Sequence, residues 1–264
     1  MTTPKTADEI RSALDALELD VVASYYDGDD DEIDPYVICE GVSIDTFNEF
    51  VGDSEGLRIG LRFLALDDGR IVIVDFPTRV HESTAEYFKI KFLTATGNPD
   101  EVGSGGSMTA SITGRRNKEA DATFGPKYST PNRTAPPAFR TVADWVTLAV
   151  EIGRFQSWRS LEEAAEWWCD YNGVQYILLL KISPTCIQMQ YALYSIAALG
   201  TLPAPTTTDT LYFNSRDEPD GAISFDMHRI LSIPLGQALP FGVNEIAHVD
   251  LRVIMDLVID DIRV

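Results

Sequence analysis

Long apolar runs are missing from this 264-residue chain. The longest, around Tyr176 to Ile182, is far too short to cross a bilayer as a helix, so no membrane partner is expected. Met1 to Thr6 has neither the basic start nor the apolar stretch of a signal peptide, and the expectation is an intracellular protein, cytoplasmic or nuclear. Cysteine is scarce: Cys39, Cys169 and Cys186 are odd in number, scattered and set among apolar residues. That predicts buried thiols and argues against a disulfide frame, a zinc site or redox chemistry. His81, His228 and His248 are too few for a histidine-rich metal site. The sequence also lacks a Gly-x-Ser-x-Gly elbow, a Gly-rich phosphate loop ending in Lys-Ser/Thr and a dinucleotide fingerprint, which removes the support for those three chemistries.

Positive charge is short as well. Lys and Arg number 21 against 41 Asp and Glu, a net −20, which argues against a protein that coats nucleic acid non-specifically, because affinity for phosphates comes from basic side chains. The basic residues that exist are concentrated: Arg115, Arg116, Lys118, Lys127, Arg133, Arg140, Arg154 and Arg159 fall in one stretch with few acids. The acids gather elsewhere, notably in Asp27 to Asp34. That run has the composition of an EF-hand loop but not its spacing or its closing glutamate, so a solvated acidic loop is the expectation.

The predicted elements begin with a helix over 7–18, opened by the capping-box pair Thr6 and Glu9, and a second over Ser43 to Phe50. Leu57 to Leu66 and Arg70 to Asp75 read as a hairpin turning at Asp67-Asp68-Gly69, and Pro77 ends it. His81 to Thr94 reads as a helix stopped at Gly97-Asn98-Pro99. A second hairpin is expected from Met108 to Thr113 and Glu119 to Phe124, then a surface loop over Pro126 to Pro137 and a buried strand over Val146 to Ile152. Ser160 and Glu163 suggest a capping box for a helix ending in Trp167-Trp168 and closed at Asn172-Gly173. Strands follow over Val174 to Ser183, Ile187 to Ile196 and Ile223 to Phe225, with a final helix from about Asp250. Residues 1–56 thus read as a helical and acidic extension, and 57–264 as an α/β domain with a loop excursion at about 201–222. Helix, three strands, helix, strand is the order that builds an α/β sandwich on a mixed central sheet.

Within that order two strand-like runs, Lys118 to Phe124 and Thr147 to Gly153, each carry acids among apolar neighbours. Burying two convergent carboxylates is costly unless a cation neutralises them, which points to a metal site. The chain here resembles the PD-(D/E)XK phosphodiesterase superfamily, in particular its Uma2-like branch and a group of fungal proteins of the same fold. The residues carrying the likeness are Phe76-Pro77 to His81-Glu82, Lys118-Glu119-Ala120-Asp121, Val150-Glu151-Ile152-Gly153, Gln156-Ser157-Trp158-Arg159 and Ala165-Glu166-Trp167-Trp168. It spans roughly residues 57 to 190, and it is the order and spacing of the pieces that carry it.

The resemblance implies a restriction-endonuclease-like α/β core, a mixed central sheet flanked by helices, with helical additions at both ends. It implies a metal-dependent nuclease acting on DNA, with Asp121 and Glu151 binding Mg²⁺ or Mn²⁺, the Ile152 carbonyl as a further ligand, and Glu86 or Glu119 as an additional carboxylate. Members of the superfamily usually carry a lysine two residues after the strand-three acid; here that position is Gly153, and Lys181, Arg159 and Gln156 are the candidates to replace it. Arg115, Arg116, Lys127 and Arg154 would meet phosphates. The missing lysine and the net negative charge support a contrasting reading, a catalytically silent module that binds another protein; a homodimer is also compatible with the fold. His81 reads as a helix cap or packing residue, and Trp167 and Trp168 as packing.

Overall fold

The computed structural model describes residues 4–28, 30, 32–52, 57–106, 108–213, 215 and 219–262. Its N-terminal part begins with α1 (Ala7–Asp15), where Thr6 and Glu9 form the expected capping box, followed by α2 (Leu19–Tyr25). Strand β1 (Tyr36–Glu40) lies in the stretch expected to be extension, and α3 (Ile44–Val51) is capped by Ser43. The hairpin of β2 (Leu64–Asp67) and β3 (Arg70–Ile73) turns at Asp68 and Gly69, both at positive φ (44° and 73°), the backbone that a tight two-residue hairpin turn requires. β1 adds to the free edge of β3, giving a three-stranded antiparallel sheet whose apolar face packs with Ile10, Leu14, Val22, Phe47 and Phe50.

The central sheet has six strands in the order β4 (Val102–Ser104), β5 (Ala122–Pro126), β6 (Leu148–Gly153), β7 (Tyr176–Ile182), β8 (Gln188–Ser195) and β9 (Thr207–Tyr212). Only β6 and β7 are parallel, and α5 (Trp158–Cys169) makes the crossover between them that parallel pairing requires. β6 and β7 read as continuous apolar runs because both sheet faces are covered. One face, with Val150, Ile152, Leu178 and Leu180, packs under α4 (Arg79–Ala95) and α7 (Leu251–Ile262); the other, with Ala149, Ile177 and Leu179, packs under α5. A short hairpin-like pair, β10 (Ala222–Asp226) and β11 (Ile246–Asp250), flanks helical turn α6 (Met227–Ile230). The expected α/β class, with its mixed sheet flanked by helices, is the observed one.

Three local expectations are corrected. The second hairpin is reduced to a single bridge between Ala110 and Lys118; β5 begins only at Ala122, and its antiparallel partner is β4. Helix α5 is capped by Ser157, which accepts from Ser160 N, so Ser160 lies inside the first turn and its hydroxyl instead accepts from Gln156 Nε2 at 2.8 Å. The excursion at 201–222 contains β9, because the outer edge of β8 offers a ladder to pair with. In the acidic run Asp27, Asp30, Glu32 and Asp34 are exposed, as a solvated loop requires. Asp29 and Asp31 lie outside the described residues, but Ile33 N donates to Phe155 O (3.1 Å) and Glu32 accepts from Trp158 N (3.3 Å), a carboxylate meeting the unpaired N–H groups that open α5.

Among the described residues no helix is long and apolar enough to cross a membrane. The three cysteines are free and buried. Burial pushes each thiol up, Cys186 to about 12. The folded chain is therefore expected to resist a thiol-titrating reagent and to expose all three sulfurs once denatured; rapid labelling of the native protein would contradict this packing.

Candidate functional site

The two acids singled out by the sequence do converge, at the seam of β5 and β6. Side chains alternate along β6, so Glu151 and Gly153 face α5 while Val150 and Ile152 face α4. Asp121 sits one residue before β5, where the ladder ends. Its N–H donates to Val150 O at 3.0 Å, and its carboxylate Oδ2 replaces the missing strand acceptor by taking Ile152 N–H at 2.6 Å.

Each acid has a basic partner. Glu151 is 4 % exposed; its Oε2 lies 3.1 Å from Lys118 Nζ, and Oε1 accepts from the indole N–H of Trp168. Burial raises the Glu151 carboxyl above its ordinary range, Lys118 opposes that, and Asp121 adds to it, which places the two carboxylates within each other's field. Asp121 meets His81: Nε2 lies 3.2 Å from Oδ1 and 3.0 Å from Ile152 O. The ring is 1 % exposed. Burial alone would lower the imidazole, yet Asp121, Glu82 and Asp75 outweigh it and hold it up at about 10. Asp75, just past β3 and also buried, ties the exit of β6 in place: its oxygens accept from Phe76 N (2.8 Å), Arg154 N (2.6 Å) and Phe155 N (3.4 Å). The segment leading to Lys118 is held from outside the sheet. Asn48 of α3 donates to Arg115 O at 2.8 Å and accepts from Asn117 N at 2.6 Å.

The other expected site residues are placed as follows. Lys181 pairs in register with Gly153, but its ammonium donates to Gln156 O at 2.7 Å and lies 3.8 Å from Glu32. Gln156 is buried and its side chain donates to Ser160. Arg159 is 88 % exposed and pairs with Glu163 on the outer face of α5. Glu86 is exposed on α4 and meets Lys89 at 3.4 Å; the neighbouring Glu82, not Glu86, faces His81. Glu119 is buried and accepts from Thr109 at 3.0 Å. Arg115 pairs with Asp170, and burial pulls the Arg116 guanidinium down while Glu151, Glu163 and Asp67 oppose that. Lys127 donates to Asp100 O, and Arg154 lies over the Phe155 ring with a guanidinium N–H on Tyr26 O.

Gly153 has a packing reason. A Cβ there would stand 3.1 and 3.3 Å from the methyls of Leu161 and 3.3 Å from Gln156 Cβ. The ammonium beside Glu151 belongs to Lys118, a residue that the sequence places next to the acids without giving it this contact. Trp168, read as packing, and Asp75, not singled out, also belong to the cluster; no spacing in the sequence connects them to it.

Among the described residues no group of three His, Cys, Asp or Glu side chains is arranged as a metal cluster. The donors available to a hard cation are the Asp121 and Glu151 carboxylates and the Ile152 carbonyl, oxygens of the type such ions select.

No known family profile matches this chain, and no curated protein matches it. Among solved structures it is similar to a protein from Anabaena variabilis, proposed to be a nuclease and belonging to DUF820. The identity is 14 %, the TM-score 0.48, and the match covers 82 % of this chain and 99 % of that one.

Proposed function

We propose that the protein is a metal-dependent phosphodiesterase of the DNA endonuclease type. The observation that carries this reading is the ammonium of Lys118 at 3.1 Å from Glu151, beside Asp121: carboxylate, carboxylate and lysine meet in space although the lysine is absent from Gly153. Asp121 and Glu151, with the carbonyl of Ile152, would hold Mg²⁺ or Mn²⁺, which when bound supplies an activated water and stabilises charge on a phosphodiester. Lys118 opposes the upward push that burial gives the Glu151 carboxyl and presents donors for orienting a water. Trp168 fixes the second Glu151 oxygen, and Asp121 locks the β6 backbone through Ile152 N–H. Arg116, two residues before Lys118 in the chain, adds positive charge in the field of Glu151.

Plasmid nicking at low salt with Mg²⁺ or Mn²⁺ tests this. Cleavage is expected in the wild type, and Glu151→Gln is expected to fall to the level of an EDTA control. A second reading, the silent interaction module, has one observation in its favour: Asp121 and Glu151 each already have an internal basic partner without an ion. It predicts no cleavage with either metal.

A further inference from the structure

The four most exposed large apolar side chains among the described residues are Tyr128, Phe139, Leu235 and Phe241, at 83 to 97 %. Leu199 comes next, at 59 %. All four sit on two loops, 127–143 and 232–244, joined by Thr134 N donating to Ser232 O (2.9 Å) and Asn132 Nδ2 donating to Ala238 O (3.0 Å). No exposed residue of either loop carries a charge, on a chain whose net charge is −20. Basic side chains of the first loop turn back onto carbonyls: Arg133 onto Lys127 O and Thr134 O, Arg140 onto Ser111 O. Depletion of charge together with exposed aromatic rings is the composition of an interface core.

Phe139 adds a second mark. Its backbone lies at φ 65°, a costly conformation for so bulky a residue, and at 96 % exposure its ring gains almost no packing in return. The same face has hollows beside its protruding rings. One of about 490 Å³ opens between Pro137, Leu199 and Leu235, another of about 390 Å³ between Met108, Tyr128 and Val142, and Trp145 walls both. An apolar cavity of about 150 Å³ already takes a benzene ring, so each has room for an aromatic side chain of a partner.

Phosphates or a charged protein surface need opposite charge to dock on, which these loops do not present. The complement of this face is uncharged and apolar, with rings and hollows of its own, and the face itself fits that description. A two-fold axis sets such a surface against its copy. Tyr128, Phe139 and Phe241, at about 200 Å² each, contribute on the order of 600 Å² per copy, so a pair buries roughly 1,200 Å², the size at which specific complexes begin.

We infer that loops 127–143 and 232–244 are the docking surface for a second copy of this chain, with the rings of one copy entering the hollows of the other. The face lies at the Pro126 and Leu148 ends of β5 and β6, about 16 Å along the strand from Asp121, so the acids of both copies stay uncovered. The dimer does not depend on cleavage.

Sedimentation equilibrium of the full chain at about 100 µM tests this. Twice the mass of the chain is expected, with the dimer fraction rising as salt is added, because screening removes the repulsion between two chains of −20. Phe139→Asp combined with Phe241→Asp places charge on the face and should give a monomer with an unchanged thermal midpoint, since both side chains are exposed and aspartate tolerates positive φ. Ile187→Asp, an exposed position outside the two loops, should leave the dimer intact. A wild-type monomer overturns the inference, whether it stays in solution or instead sediments with phosphatidylcholine vesicles. A dimer that survives the double substitution, or one that dissociates in salt, overturns the uncharged face as its interface.

Discussion

Lys118→Met is expected to cost about 3–5 kcal/mol of folding stability, the loss typical of removing one partner from a buried ion pair. The side chains of Lys118 and Glu151 are 10 % and 5 % exposed, so neither charge is served by water. Desolvation is already the largest influence on Glu151 and raises its carboxyl, with Asp121 adding repulsion. Methionine fills most of the lysine's volume, which leaves electrostatics as the main change. Adding Glu151→Gln to Lys118→Met removes the stranded charge while keeping an acceptor for the Trp168 indole, and should recover most of the loss. Urea unfolding of the wild type, both single variants and the double variant forms the cycle. A double variant no more stable than Lys118→Met alone would show that the pair is not the source of the effect. The same cycle separates structure from chemistry, since the double variant is expected to fold and still not nick DNA.

Much of this site is legible from the sequence because it depends on strand periodicity and on the cost of burying acids. Asp121 and Glu151 stand out for that reason, and they meet across the β5–β6 seam. The basic partners were not legible. Lys118 lies in a segment that bridges at one residue pair and then leaves the ladder, so strand alternation gives no facing for it. His81 reaches Asp121 only because α4 packs over β6, a tertiary contact with no local signature. Asp75 acts at 2.6 Å on Arg154 N, 79 residues away in the chain. At the fold level, the apolar runs of β6 and β7 and the crossover helix between them were readable, since covered parallel strands show their burial directly. β1 and β9 were not: each is an edge strand with exposed positions, defined by the partner it pairs with.

Gly125→Ala is expected to be the most damaging single methyl added to the sheet. A Cβ at this position of β5 would fall 2.1 Å from the carbonyl oxygen of Trp145 and 3.3 Å from its carbon. Both are backbone atoms, which cannot rotate out of the way as a side-chain end can. The Trp145–Thr147 segment that would have to move is pinned on several sides. Thr147 N donates to Phe124 O at 2.8 Å, its hydroxyl donates to Ile230 O at 2.7 Å, and its carbonyl accepts from Gln175 N and Tyr176 N at 2.8 and 2.9 Å. Leu148, the first residue of β6, follows at once, so displacement passes into the strand that carries Glu151 and Ile152. A loss of about 3 kcal/mol or more is expected, the upper range for overpacking, with the Lys118–Glu151 contact disturbed as well. Gly60→Ala is the control: its backbone lies at φ −58°, and an added Cβ would meet only Phe63 and Arg62 side-chain atoms at 3.8 and 3.9 Å. That substitution should be neutral or stabilise by about 0.4–1 kcal/mol, through the less flexible unfolded chain. Denaturation midpoints of the two variants side by side decide the matter; equal midpoints would mean that β5 and the approach to β6 are not in the close contact described.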